Sequence, residues 1–296
     1  MNAILKKSVN RLLRSIGLEI RSVERNDDVP RVFESPKEAL LFQQGGKPSL
    51  FYCPIEKVTH VTGLGLSKSD WNPFVETIAQ FESDNRLKYY ESPLKHFYNK
   101  CQPKNAGEAV FGFNQLPREF KALPPYMIFL LPWLSLTEEE VTQDTLWWNQ
   151  KDNAEHGRPD LSYPKDGWAF FGPVSEAKGE LEFQRTISLH QSIKLNGYDS
   201  SKGGIGVTLL KRGHDFRYLL GGGGYHRAIS LKAADYESMI ARFHRLSIVD
   251  VEDVELWPNV RNGLWTTSQA LAYVDHLFDF HSKNWAIDNG LSEKSY

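Results

Sequence analysis

The chain has 296 residues, 41% hydrophobic and 24% charged, with a formal net charge of −2. This is enough chain to bury a sizeable core, and the balance of charge argues against a dedicated nucleic-acid binder, which carries a strongly basic face. Two cysteines, Cys53 and Cys101, with no CxxC and no Cys/His cluster at zinc spacing, argue against a disulfide framework and a structural zinc site.

Residues 3–22 read as a basic amphipathic helix. Leu5, Val9, Leu12, Leu13 and Ile16 fall on one stripe, with Lys6, Lys7, Arg11 and Arg14 largely off it. Such a helix either lies on an anionic membrane surface or packs on its own domain. A polar linker follows at 24–30. No uninterrupted apolar stretch with a cleavage site marks a secretory signal. The most apolar segment, 127–136, is too short to cross a bilayer and contains Pro132, so it reads as a buried strand. Together these features point to a cytoplasmic protein, peripheral at the inner membrane surface if the leader docks there.

From 31 to about 150 the pattern predicts an irregular α+β region. Strands are expected at 49–55 and 126–133. One helix should start near Ser69 or Asp70, with Phe74, Ile78 and Phe81 on one face; another should follow Thr137 as N-cap, with acids in its first turn. The Gly-rich stretch at 63–68 lacks the spacing of a P-loop. From 152 to about 178 the chain is rich in Gly, Pro and polar residues and reads as a long structured loop. A helix is expected at 179–196 with Gly197 as its cap, then strands at 204–213 and 214–220. A helix at 226–234, a strand at 238–243, a loop over 247–265 and a last helix at 267–282 complete the order. The change of texture predicts units at 1–25, 26–150 and 151–284, with a tail at 285–296.

Between the second of those strands and the next helix stand Gly221, Gly222, Gly223 and Gly224, then Tyr225, His226 and Arg227. A strand, glycines and a helix start form a geometry that anions exploit. Glycine lets the backbone wrap closely, and the first helical amides have no internal partner and sit at the positive end of the dipole. Arg227 in a first turn is unfavourable by itself, and an anion between the amides and its guanidinium resolves the conflict. His226 offers a donor or a proton relay. The competing reading is a flexible hairpin exit with an exposed arginine.

The order Leu189, Ser192, Ile193, Gly197, Tyr198, then a hairpin and Gly-Gly-x-His-Arg, resembles the ParB/sulfiredoxin superfamily over about 180–245. The resemblance implies an α+β C-terminal domain, over 151–284, that binds nucleotide phosphates, of ATP or CTP with Mg²⁺, on Gly222, Gly223, Gly224, Tyr225, His226 and Arg227. Sulfiredoxin-like members have a cysteine where Tyr225 stands, which argues against sulfinic-acid reduction. Partition proteins continue into a helix-turn-helix domain, which the remaining residues do not accommodate, so nucleic acid is not an expected partner. Small-molecule kinases of the fold use an acidic residue to activate an acceptor hydroxyl. Glu182 is the first candidate here, with Glu180 second and Arg185 beside them; a surface ion pair is the other reading of Glu182 and Arg185. A wider pattern is similar to bacterial proteins associated with surface-polysaccharide genes, which implies a sugar, glycan or other small polar acceptor. The expectation is an ATP-dependent phosphotransferase, with a nucleotide-gated interaction module as the alternative.

Further candidates have an ordinary reading first and a site reading second. His156 and His190 read as structural histidines, Trp168 and Trp257 as core aromatics, and Arg158 and Lys178 as solvated charges of the long loop. Asp199 and Asp215 are turn residues that offer metal contacts. No G-x-S-x-G elbow supports a serine hydrolase.

Overall fold

Three short strands from the first part of the chain, β1 (Val32–Phe33), β2 (Leu50–Pro54) and β3 (Val58–Thr59), share a sheet with three from the last part. These are β4 (Ile205–Arg212), β5 (Asp215–Leu220) and β6 (Ser238–Asp250), and the order across the sheet is β1-β2-β6-β4-β5-β3. The structure is a computed structural model describing residues 31–43, 49–199 and 203–293; the leader at 3–22 and the linker after it lie outside the described residues. β2 pairs antiparallel with β6 (Phe51 opposite Ala241), and β3 pairs parallel with β5 (Val58 opposite Tyr218). This exchange overturns the boundary expected at 150/151: from Val32 onward the chain is one compact unit. The composition shift marks a long loop, because the early strands need the late ones as ladder partners.

Local chemistry explains most helix starts. The helices are α1 (Pro36–Gln43), α2 (Pro73–Ser83), α3 (Pro93–Lys100), α4 (Glu138–Glu155), α5 (Glu176–Asn196), α6 (Tyr225–Ala233), α7 (Pro258–Arg261), α8 (Thr267–Asp279) and α9 (Ser282–Asp288). Asn72 accepts from the Phe74 amide with Pro73 at the first helical position, so α2 starts three or more residues later than the apolar spacing alone predicts. Ser175 accepts from the Lys178 amide and starts α5 at Glu176, not 179. Thr137 with Glu140, and Thr266 with Gln269, close capping boxes on α4 and α8.

Two expectations fail for physical reasons. The stretch at 126–133 is a 3₁₀ turn (Pro125–Phe129) followed by irregular chain, because Pro124, Pro125 and Pro132 give no amide to a ladder. Its side chains are still core: Met127, Ile128, Leu130 and Leu131 are buried. β6 runs on to Asp250 through residues read as a loop; it keeps pace with β4 by an irregularity between Val207 and Leu209. Phe51, Tyr218 and Phe243 meet at the sheet centre, with ring centroids 5.9 Å and 4.7 Å from Phe51. A fully buried side chain of this kind contributes about 1.5–3 kcal/mol.

α4 is inverted. Thr145, Asn149 and Asn153 are buried at intervals of four, while Leu146, Trp147 and Trp148 are exposed. A helix that buries its polar stripe needs polar company inside, and that company is the site described next.

Candidate functional site

The glycine run is a fixed turn. Gly222, Gly223 and Gly224 have φ of 66°, 93° and 97°, where an L side chain costs about 1–2 kcal/mol. Gly206 on β4 pins it: its amide donates to Gly223 O at 3.1 Å, and its carbonyl accepts from the Gly221 amide at 3.0 Å. A Cβ on Gly206 would collide with the Gly221 carbonyl, so this close approach requires glycine. Arg242 on β6 donates to Gly222 O at 2.9 Å. The run ends at Gly224, the N-cap of α6, which has no side chain to cap with. The first-turn amides of α6 therefore lack the side-chain partner that α2, α3, α4, α5 and α8 have.

This turn lines a cavity of about 300 Å³. Facing the glycines are aromatic walls that include Phe129, Trp148, Trp168 and Phe170. Asp152, Lys178, Arg185 and His226 line its polar part. The site thus has a backbone cradle at one side and flat apolar surfaces at another.

Beneath the polar part lies a buried ionic cluster. Lys178, Glu182 and Arg185 fall on one face of α5. Lys178 Nζ is 2.6 Å from Glu182 Oε1 and donates to Asn153 Oδ1 at 2.6 Å. Arg185 makes a bidentate pair with Asp152 (2.6 and 3.0 Å) and reaches Glu182 at 3.3 Å. His226 Nε2 is 2.8 Å from Glu182 Oε2, a short but bent approach. Burial opposes the charge on Glu182, but Arg185, Lys178 and His226 outweigh it and hold its carboxyl well below the usual carboxylate range. Asp152 is likewise held low: burial works against its charge, and Arg185 overcomes it. Burial, assisted by the Arg185 charge, pushes the His226 imidazole below its ordinary value despite Glu182. Two cations and two carboxylates cancel in this cluster.

His60 and Tyr225 complete the wall near the cradle. Burial drops His60 to about 3, so the ring is neutral, with Nδ1 2.9 Å from Thr62 Oγ1. Tyr225 packs edge-on to Phe170 and accepts from Asn72 at 3.4 Å; burial raises its phenol to about 12. Tyr225 is thus a packed, protonated phenol in the cavity wall.

Of the residues expected from sequence, the fold brings Gly222, Gly223, Gly224, Tyr225, His226 and Arg185 to the cavity, along with Trp168 and Lys178. Lys178 is the opposite of a solvated loop charge: it is 1% exposed. Glu182 lies against this group but is fully buried and does not line the cavity, with Oε1 held by Lys178 and Arg185 and Oε2 facing only His226 Nε2, so it does not reach an acceptor. Glu180 is exposed and accepts from Gln184, away from the cavity. Arg227 turns back and donates to Gly203 O at 2.6 Å, which anchors the chain before β4; the anion clamp expected of its guanidinium is not formed. His190 is structural, between Glu82 and Ser230 O, and His156 binds the Asp152 carbonyl at the end of α4. Trp257 is core beside Trp133. Arg158 pairs with Asp160, Asp215 with Lys57, and Asp199 is exposed outside the cavity. Cys53 and Cys101 form no disulfide.

Asp152, His60, Phe170 and Asn149 escaped the sequence reading. The polar stripe of Thr145, Asn149 and Asn153, flanked by two tryptophans, was the available signal for α4. His60 carried none. Among the described residues no group of three or more His, Cys, Asp or Glu is arranged to hold a metal ion, and no helix is long and apolar enough to cross a membrane. No protein-family model and no curated protein matches the chain.

Proposed function

We propose that this protein binds a nucleotide or closely related phosphate ester in the cavity, its phosphate on residues 222–226 and its planar part against Trp168 and Phe170. One observation carries the reading: the pinned positive-φ glycines and the uncapped start of α6 open into the same cavity as the aromatic walls. The order α5, β4, β5, glycine turn, α6 agrees with what the resemblance to the ParB/sulfiredoxin superfamily implies. The lining fits a phosphate, since backbone amides and the His226 ring face a half-open, partly apolar space. Asp152 is engaged by Arg185, and among the described residues no group of three or more His, Cys, Asp or Glu is arranged to hold a metal ion, so in this reading any Mg²⁺ comes with the ligand. An ion arriving on the nucleotide's own phosphates needs no such group.

Binding, not transfer, is the core of this reading. A base for an acceptor hydroxyl must touch it, and Glu182 is sealed. Thermal-shift measurement with ATP, CTP and tripolyphosphate tests the proposal. The midpoint should rise by about 2 °C or more at saturating ligand. Gly223→Asp should abolish that rise, since its Cβ meets open space and its carboxylate repels the phosphate. A folded Gly223→Asp protein that binds as wild type, or a wild type indifferent to all three ligands, refutes it.

A further inference from the structure

His226 occupies the second position of α6, immediately after the cradle, and its side chain is 10% exposed. A carboxylate supplies no proton, so the proton in the contact with Glu182 belongs to Nε2 and Nδ1 carries a lone pair. Nε2 is sealed from solvent, whereas Nδ1 is neither sealed nor engaged by a protein group among the described residues. The ring therefore presents an open acceptor nitrogen where an anion would dock. An anion brings lone pairs of its own, so Nδ1 repels it until protonated.

The surrounding charges give no help. α5 contributes Lys178, Glu182 and Arg185, and α4 contributes Asp152, which together cancel. α4 also sets Asp144 in the cavity wall, a charge that opposes an anion. α2 contributes only the edge-on ring of Phe74, 5.2 Å away. His60 stands beside Tyr225, and the ring of His244 on β6 lies against Gly221 and Gly222. His244 is thus the second imidazole at the cradle, and a His226 variant separates the two. Arg242 is bonded to the Gly222 carbonyl and Arg227 to that of Gly203, and neither lines the cavity. The cradle amides and the helix dipole supply the equivalent of about half a charge.

We infer that His226 takes a proton from solvent onto Nδ1 when a phosphate docks, and that this coupled proton makes the cradle prefer a doubly charged phosphate end to a singly charged one. The inference rests on the phosphate-binding reading above. The proton leaves a solvent acid, the Nδ1–H bond forms, and the imidazolium then bridges ligand and Glu182. With no ligand, burial and Arg185 keep the ring neutral near pH 7. With a dianion at hydrogen-bond distance the ring's pKa rises, so affinity grows as pH falls from the bound value towards the free one, until the ligand's own second ionisation at about pH 6 removes the dianion. A singly charged group raises it less and gains less.

Calorimetry of the full chain at pH 7.5, in two buffers of different ionisation enthalpy, reads the proton directly. With tripolyphosphate, the wild type should take up roughly half a proton or more beyond that seen with His226→Gln, which keeps a neutral side chain. Adenosine 5′-monophosphate should bind about tenfold more tightly than the cyclic phosphodiester, and the variant should lose this preference. If the variant does not fold, the imidazole carbon-bound proton signals of wild-type His226, with and without tripolyphosphate, report the same event. Binding without proton uptake, equal uptake in both proteins, or a ring that stays neutral in the complex overturns this inference and leaves the cradle standing. No binding of any phosphate overturns both.

Discussion

The starts of α4 and α6 answer the same demand in opposite ways. At α4, Thr137 accepts from the Glu140 amide at 3.2 Å, Glu140 accepts from the Thr137 amide at 2.8 Å, and three glutamates fill the first turn. At α6, a glycine at φ 97° provides no cap, and the first turn holds His226 and Arg227 with no acid. The chain satisfies one helix start by itself and leaves the other open towards the cavity. On the proposed reading, the ligand in that cavity supplies what the α6 start lacks.

The contrast breaks most completely through the cluster that braces the α6 start. Glu182→Ala leaves Lys178 and Arg185 buried beside a lost counter-charge and should destabilise the fold by about 3–5 kcal/mol in denaturant unfolding. An unchanged midpoint would mean that water replaces the carboxylate. The same group sets an acid limit. Its folded pKa lies below the unfolded one, so its contribution is present above the ordinary carboxylate range and is lost as pH falls through the folded value. Wild type should therefore lose more stability than Glu182→Gln on acidification below about pH 4.

Removing the cap of α4 sharpens the comparison from the other side. Thr137→Ala should lower stability by about 1 kcal/mol and leave nucleotide binding unchanged, because Thr137 does not itself line the cavity and its capping bonds stay within α4. Coupled loss of binding would show that the two helix starts are not separate devices. Arg227→Ala gives the smallest effect. Its guanidinium holds Gly203 O, so ATP affinity should change by less than about threefold in a titration, within the worth of one hydrogen bond. A hundredfold loss would restore the clamp that the sequence pattern suggested.

The hairpin, the glycine turn and the helix after it were legible because local chemistry decides them: two strand-like runs at 204–213 and 214–220 joined by a turn at Gly213, glycines that admit positive φ, and a helix pattern from 226. Caps such as Thr137 were legible for the same reason. The shared sheet was not, since the pairing of β2 with β6 joins segments almost two hundred positions apart and leaves no local mark. Glu182 illustrates the limit at the site. Its spacing from Lys178 and Arg185 was visible, but a surface ion pair and a sealed one share that spacing, and only packing by α4 and α6 separates them. Arg227 failed similarly, because its acceptor is a backbone carbonyl with no side-chain signature.

Backbone amide shifts on adding tripolyphosphate to the isotope-labelled chain test the central claim most directly. The largest changes should fall on the amides of Gly222, Gly223, Gly224, Tyr225 and His226, with the start of α4 unmoved. Binding that leaves those five amides in place while shifting others would contradict it.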